Sequence, residues 1–213
     1  MNCERFARGL FSNYWKYLIN ASIADTKYDE MGKKKYENRL FVPNRKNGKS
    51  KDTPMYVASI TTACYNFALL ETCYTTGLFF TPEPSAKNGK RSGFCDAIIL
   101  NKQKNAIITI EHENNWNLTR MKTNITKLCH PTPFRPSNKV KMKVSCGILV
   151  LSSRDISKEA TVTRWIKEIK KLTENRAMPQ LYTILAYFDK NECLILKMID
   201  KKGKEKHIMK QQF

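Results

Sequence analysis

Cys95–Asn115 reads CDAIILNKQKNAIITIEHENN. Two Ile-rich runs, Ala97–Leu100 and Ala106–Ile110, flank a polar turn over 101–105. Short apolar runs bounded by Asn and Lys predict two neighbouring strands of a hairpin. Asp96 stands at the start of the first strand, and Glu111 and Glu113 stand at the end of the second. Side chains alternate across a strand, so Glu111 and Glu113 share one face and His112 takes the other. In an antiparallel pair the start of one strand lies beside the end of the next, which brings Asp96 close to Glu111. Carboxylates that converge beside an apolar sheet repel one another unless positive charge sits among them. A hard divalent cation such as Mg²⁺ suits that place. His112, on the opposite face, is expected to be packed or hydrogen-bonded in the core.

Charge sets the class of partner. Thirty-eight Lys and Arg against 19 Asp and Glu leave the 213-residue chain at +19, with a pI near 9.7. Such a surplus attracts polyanions: DNA, RNA or an anionic membrane. Cysteines 3, 64, 73, 95, 129, 146 and 193 are odd in number and scattered through apolar segments, with no C-x-x-C. They are expected to be reduced, buried thiols. Cys129-His130 is an isolated pair of zinc-type ligands, which argues against a zinc site. The start, MNCERFAR, lacks the apolar segment of a secretory leader. A cytoplasmic location is therefore expected. No Gly-rich phosphate loop and no Ser-His-Asp arrangement stands out.

Outward from the hairpin, Phe6, Leu10, Tyr14 and Leu18 give residues 3–24 a helical stripe. Residues 27–52 turn basic, with Gly32, Pro43 and Gly48 among the lysines. They read as an exposed connection, either simply solvated or contacting phosphates through Lys46 and Lys49. The expected organisation is an N-terminal helix with basic connection over 1–52 and a core domain over 53–213. Residues 53–79 are nearly free of charge and predict a buried core helix, capped at Thr53-Pro54 and continued by Met55, Ala58, Ile60, Ala63, Phe67, Leu70 and Tyr74. The length of this run also admits a membrane span, which its Thr content opposes. Its carboxylate, Glu71, requires a partner: a structural Lys or Arg, or the cation held by Asp96 and Glu111.

The segment SAKNGKRSG, with Lys87, Lys90 and Arg91, is a basic loop leading into Asp96. After the hairpin, 114–130 predicts a helix whose cations, Arg120, Lys122 and Lys127, lie off its apolar stripe, so one or two of them can approach the acids. A loop carrying Lys139 and Lys141 follows. Val144–Leu151 reads as a central strand and Ser157–Glu174 as a helix. Leu181–Phe188 and Cys193–Ile199 read as two more strands joined by a hairpin turn. The basic tail reads as a short edge strand.

The order of a helix, the two acid-bearing strands, a helix, a strand, a helix and two strands resembles the PD-(D/E)xK nuclease superfamily. Asp96 matches that motif's Asp and Glu111 its acid. Glu113 stands in place of its Lys, as in the E-x-E variant, and Cys95 replaces its Pro. Glu71 matches the extra helical Glu of that variant. The resemblance implies an α/β, restriction-endonuclease-like fold: a mixed β-sheet core flanked by helices in αββαβαββ order, with an N-terminal helical extension. It implies a Mg²⁺-dependent endonuclease (Mn²⁺ substituting), of restriction or defence type, acting on double-stranded DNA. Asp96, Glu111 and Glu113 would be catalytic, and Glu71, Asp96 and Glu111 the metal ligands. Lys46, Lys49, Lys87, Lys90, Arg91, Arg120, Lys139 and Lys141 are the expected nucleic-acid contacts. Cutting both strands favours a homodimer, because one centre cuts one strand. Two alternatives stand beside this reading: a binding protein of the same fold with a degenerate site, and a nuclease acting on RNA or branched DNA.

Overall fold

The computed structural model describes residues 2–30, 56–82, 95–103, 105–113, 118–129, 142–156, 159–174, 179–191 and 193–212. Their framework is a seven-stranded mixed sheet in which the strands lie in chain order. The strands are β1 (Phe79–Pro82), β2 (Ala97–Leu100), β3 (Ala106–Glu113), β4 (Met142–Ile156), β5 (Gln180–Phe188), β6 (Leu194–Asp200) and β7 (Glu205–Gln211). Antiparallel pairing joins β1 to β2 and β2 to β3. Parallel pairing joins β3 to β4 and β4 to β5, and antiparallel pairing then resumes through β6 to β7. The two parallel steps require crossovers, supplied by α3 (Leu118–Cys129) and α4 (Glu159–Thr173). Both crossovers step the same way across the sheet, so a common handedness places both helices on one face.

The other face carries α1 (Cys3–Glu30) and α2 (Tyr56–Thr76). Phe6, Leu10, Phe11, Tyr14 and Leu18 of α1 join Ile108, Ile110, Ile148 and Ile184 of the sheet in one core. Met121, Ile125 and Leu128 of α3 and Val162 and Ile169 of α4 join Leu149, Leu151 and Leu185 in the second. The alternation of strand side chains feeds both cores, and β5 is buried along almost all of its length. The Tyr14 hydroxyl lies 2.9 Å from Ser152 Oγ, pinning α1 to β4 through a buried polar contact.

The mixed sheet flanked by helices agrees with the reading of the sequence, and three details correct it. First, β1 extends the expected eight-element order, while β7 is the edge strand expected of the tail. Four residues ending in Pro at a sheet edge carry little strand signal. β7 is a half-exposed edge strand rich in Lys. Second, α1 continues to Glu30, into the segment expected to be a connection. Third, α2, expected to be a buried core helix, is buried on one side and exposed on the other. Phe67, Leu70 and Tyr74 are exposed, whereas Cys64, Ala68 and Thr72 and, beside them, Tyr65, Leu69 and Cys73 are buried. Small side chains let two helices approach closely: a Cβ added at Gly9 of α1 would meet Thr72 Cγ2 at 3.3 Å. Asn13 Nδ2 donates to Thr72 Oγ1 across the same contact. The expected cap at Thr53-Pro54 lies outside the described residues.

None of the described helices is long and apolar enough to cross a membrane. The cysteines are free thiols, all buried except the half-buried Cys129.

Candidate functional site

The β2–β3 register pairs Ala97 with Ile110, so Asp96 and Glu111 are the next residues along the ladder. Asp96 does not continue the strand. Its Oδ2 accepts a 2.7 Å hydrogen bond from the His112 backbone N–H, tying the start of β2 to the end of β3. Glu111 is 1% exposed, and Lys127 Nζ of α3 lies 3.2 Å from its Oε2. A buried carboxylate is tolerable only when paired and hydrogen-bonded, and Lys127 is a partner that meets this need. Glu113, two residues on and on the same face, receives Arg120 Nη1 at 3.1 Å. Arg120 and Lys127 are seven residues apart, two helical turns, so one side of α3 presents both cations to the alternate residues of β3.

The end of α3 is clamped where these contacts form. Thr109 Oγ1 donates to the Leu128 carbonyl at 3.1 Å, and the Cys95 thiol donates to the Lys127 carbonyl at 3.6 Å. Burial holds the Cys95 thiol far above its ordinary range, and the neighbouring Glu111 charge adds to the effect. Cys95 is therefore a neutral donor.

On the opposite face His112 stacks on Tyr65 of α2, with centroids 4.6 Å apart and rings 6° from parallel. Burial lowers the His112 imidazole to about 4, so it is neutral at physiological pH. Burial, reinforced by Asp96 and Glu111, raises the Tyr65 phenol. The expectation of a core histidine holds here.

Glu71 lies apart from the acids of β3. Lys16 Nζ of α1 is 2.8 Å from both of its carboxylate oxygens. That hydrogen bond, with one from Tyr17, lowers the Glu71 carboxyl below its ordinary value, and Glu71 in turn raises the Lys16 ammonium. Of the two partners the sequence allowed, the structural lysine is the one present. Glu71 belongs to the α1–α2 layer, whereas Glu111 and Glu113 meet α3 on the other face of the sheet.

Among the described residues no group of three or more His, Cys, Asp and Glu is arranged to hold a metal ion. Asp96 and Glu111 offer hard oxygen donors from adjacent positions, which fits a Mg²⁺ bound by one or two carboxylates and completed by water and substrate phosphate. A four-acid cage that includes Glu71 does not fit. Of the expected nucleic-acid contacts, Arg120 is described and is paired with Glu113. Lys46, Lys49, Lys87, Lys90, Arg91, Lys139 and Lys141 lie outside the described residues.

Two features of the site went unassigned in the sequence. The approach of cations from the helix after β3 was expected without its members. The seven-residue spacing of Arg120 and Lys127 against the two-residue spacing of Glu111 and Glu113 is the signal that selects them and passes over Lys122. The Tyr65–His112 stack had no local signal. No protein-family model, curated protein or solved structure matches the chain.

Proposed function

We propose that the chain is a metal-dependent phosphodiesterase acting on DNA, with a restriction-endonuclease-like core and its reaction centre at Asp96, Glu111 and Glu113. The observations that carry this reading are the hydrogen bond from the His112 N–H to Asp96 Oδ2, next in sequence to Glu111, and the approach of Lys127 to Glu111. Asp96 and Glu111 would hold one Mg²⁺, which when bound lowers the pKa of a coordinated water and offsets charge on the phosphate. Lys127 keeps Glu111 ionised and brings an ammonium to the centre, a charge that the E-x-E sequence itself omits. Glu113 orients the attacking water, and Arg120 holds Glu113 in place. Glu71 has a structural role at the α1–α2 contact. A homodimer of restriction or defence type would place two such centres on one duplex.

One observation favours a second reading. Glu111 and Glu113 are each met by a cation of the chain's own, as a degenerate, purely DNA-binding member of the same fold would require.

Supercoiled plasmid incubated with the protein, with and without Mg²⁺ or Mn²⁺, separates the two. Metal-dependent cleavage that disappears in Glu111→Gln and Asp96→Asn, with DNA binding kept, is the expected result. Binding without cleavage by the unaltered protein under every metal condition overturns the enzyme reading in favour of the second.

A further inference from the structure

We infer that the outer side of α4 and the β6–β7 turn form one phosphate-binding surface, on which a nucleic-acid backbone lies beyond the Asp96–Glu111 centre. The polyanion being DNA rests on the proposed function; the surface itself does not. Lys167, Lys170 and Lys171 are exposed on α4, and Lys202 and Lys204 are exposed on the turn. These two groups are some thirty residues apart in sequence and are joined by packing. A Cβ added at Gly203 would meet Lys170 Cβ at 3.5 Å. Thr173 Oγ1 donates to the Lys201 carbonyl at 2.9 Å, fastening the turn to the last turn of the helix.

The turn is rigid as well as basic. Asp200 Oδ1 accepts from the backbone N–H groups of Lys202 and Lys204 at 2.9 Å each, and Gly203 supplies a φ of 74°. The acid of the turn is thus engaged in shaping it.

The contrast with other lysines gives the surface its meaning. Lys16, Lys127, Lys197, Lys206 and Lys210 each meet a carboxylate. Among the described residues, Lys167, Lys170, Lys171, Lys202 and Lys204 form no ion pair. Glu168 on α4 and Glu174 just after it form none with them and leave the cluster positive. Like charges gathered on a fixed scaffold repel one another, and a chain of phosphates relieves that repulsion while releasing counterions.

Placement suits the same ligand. α4 lies on the face of the sheet that α3 occupies, and β6 stands three strand spacings, about 14 Å, from β3. At about 3.4 Å per base pair, a duplex crosses that distance in roughly four base pairs.

The test is fluorescence anisotropy of a labelled DNA duplex of arbitrary sequence, titrated without divalent metal over a range of salt. The proteins compared are the unaltered chain, Lys167→Gln/Lys170→Gln/Lys202→Gln/Lys204→Gln, and the control Lys197→Gln/Lys210→Gln, with folding checked by circular dichroism. The fourfold variant is expected to lose about 3.6 units from the slope of log K against log salt, near 0.9 per lost phosphate contact, and at least about tenfold in affinity. The control is expected to lose less than about one unit. Equal slopes for all three proteins, no DNA binding by the unaltered chain, or capture by anionic phosphatidylserine vesicles in preference to the duplex would overturn the inference. A protein that binds through these lysines yet cuts nothing upholds the surface and refutes only the nuclease.

Discussion

At the scale of single residues, Lys127 and His112 report on the two faces of β3. Lys127 supplies the charge next to a carboxylate that is almost wholly enclosed. Removing one partner of a buried pair leaves the other charged and desolvated, so Lys127→Ala is expected to cost about 3 kcal/mol. Adding Glu111→Gln to that variant should restore part of the loss, since it removes the stranded charge. Urea unfolding of the three proteins checks both. His112 gives a pH signature of opposite origin. Its ring is shielded and its pKa lies at about 4, while the unfolded imidazole titrates near about 6.5. Between those values the unfolded chain binds the proton and the folded chain does not. Stability from this residue is therefore complete above about pH 6.5 and falls as pH drops toward about 4, by on the order of 3 kcal/mol. His112→Phe can still stack on Tyr65 and should lose less stability on acidification; parallel curves for the two proteins would refute this account. The alternation that separates His112 from Glu111 and Glu113 was legible in the sequence, because a strand fixes the face of every residue. The identities of Tyr65 and Lys127 as partners were not, because they come from helices whose rotation is set by packing.

At the scale of elements, α2 shows where pattern reading stops. Its position, length and lack of charge were legible. Its buried side was not, because large apolar residues and small ones compete for the interface. Gly9 and Thr72 admit a close α1–α2 contact that favours Cys64, Ala68 and Thr72 over Phe67, Leu70 and Tyr74. The end of α2 is more local in origin. Leu78 N–H donates to the Cys73 carbonyl and Gly77 N–H to the Tyr74 carbonyl, with Gly77 at φ 66°. This is the reciprocal pair of hydrogen bonds that closes a helix through a left-handed residue. A Cβ at Gly77 would meet nothing within 4 Å, so Gly77→Ala isolates backbone strain from crowding. It is expected to destabilise by about 1 kcal/mol, read as a lowered urea midpoint with an unchanged slope. A neutral result would mean that the cap contributes nothing beyond what the β1–β2 pairing already imposes on the chain. β1 escaped the sequence because its pairing with β2, not its own composition, defines it. β2, β3, β4, β5 and β6 were legible because each carries enough apolar residues to fill a core.

At the scale of the whole molecule, charge governs behaviour beyond any single pair. A surplus of +19 on 213 residues works against compaction by self-repulsion. Lys127–Glu111 apart, the described ion pairs, such as Lys16–Glu71 and Arg120–Glu113, are partly exposed and each contributes little. Salt acts on both. At about 0.1 M its screening length is near 10 Å, long enough to leave contact pairs mostly intact and short enough to quiet repulsion across the molecule. Thermal stability is therefore expected to rise from low salt to about 0.3 M NaCl, by a few degrees for roughly 1 kcal/mol of relieved repulsion in a chain of this size. A polyanion binds the folded state and should raise the midpoint further, most at low salt, where its affinity is greatest. Calorimetry at several NaCl concentrations, with and without duplex DNA, reads both effects. If stability instead falls steadily as NaCl is added to the free protein, local pairs outweigh the global surplus. The positive charge would then be compensated within the fold rather than held in reserve for a phosphate backbone.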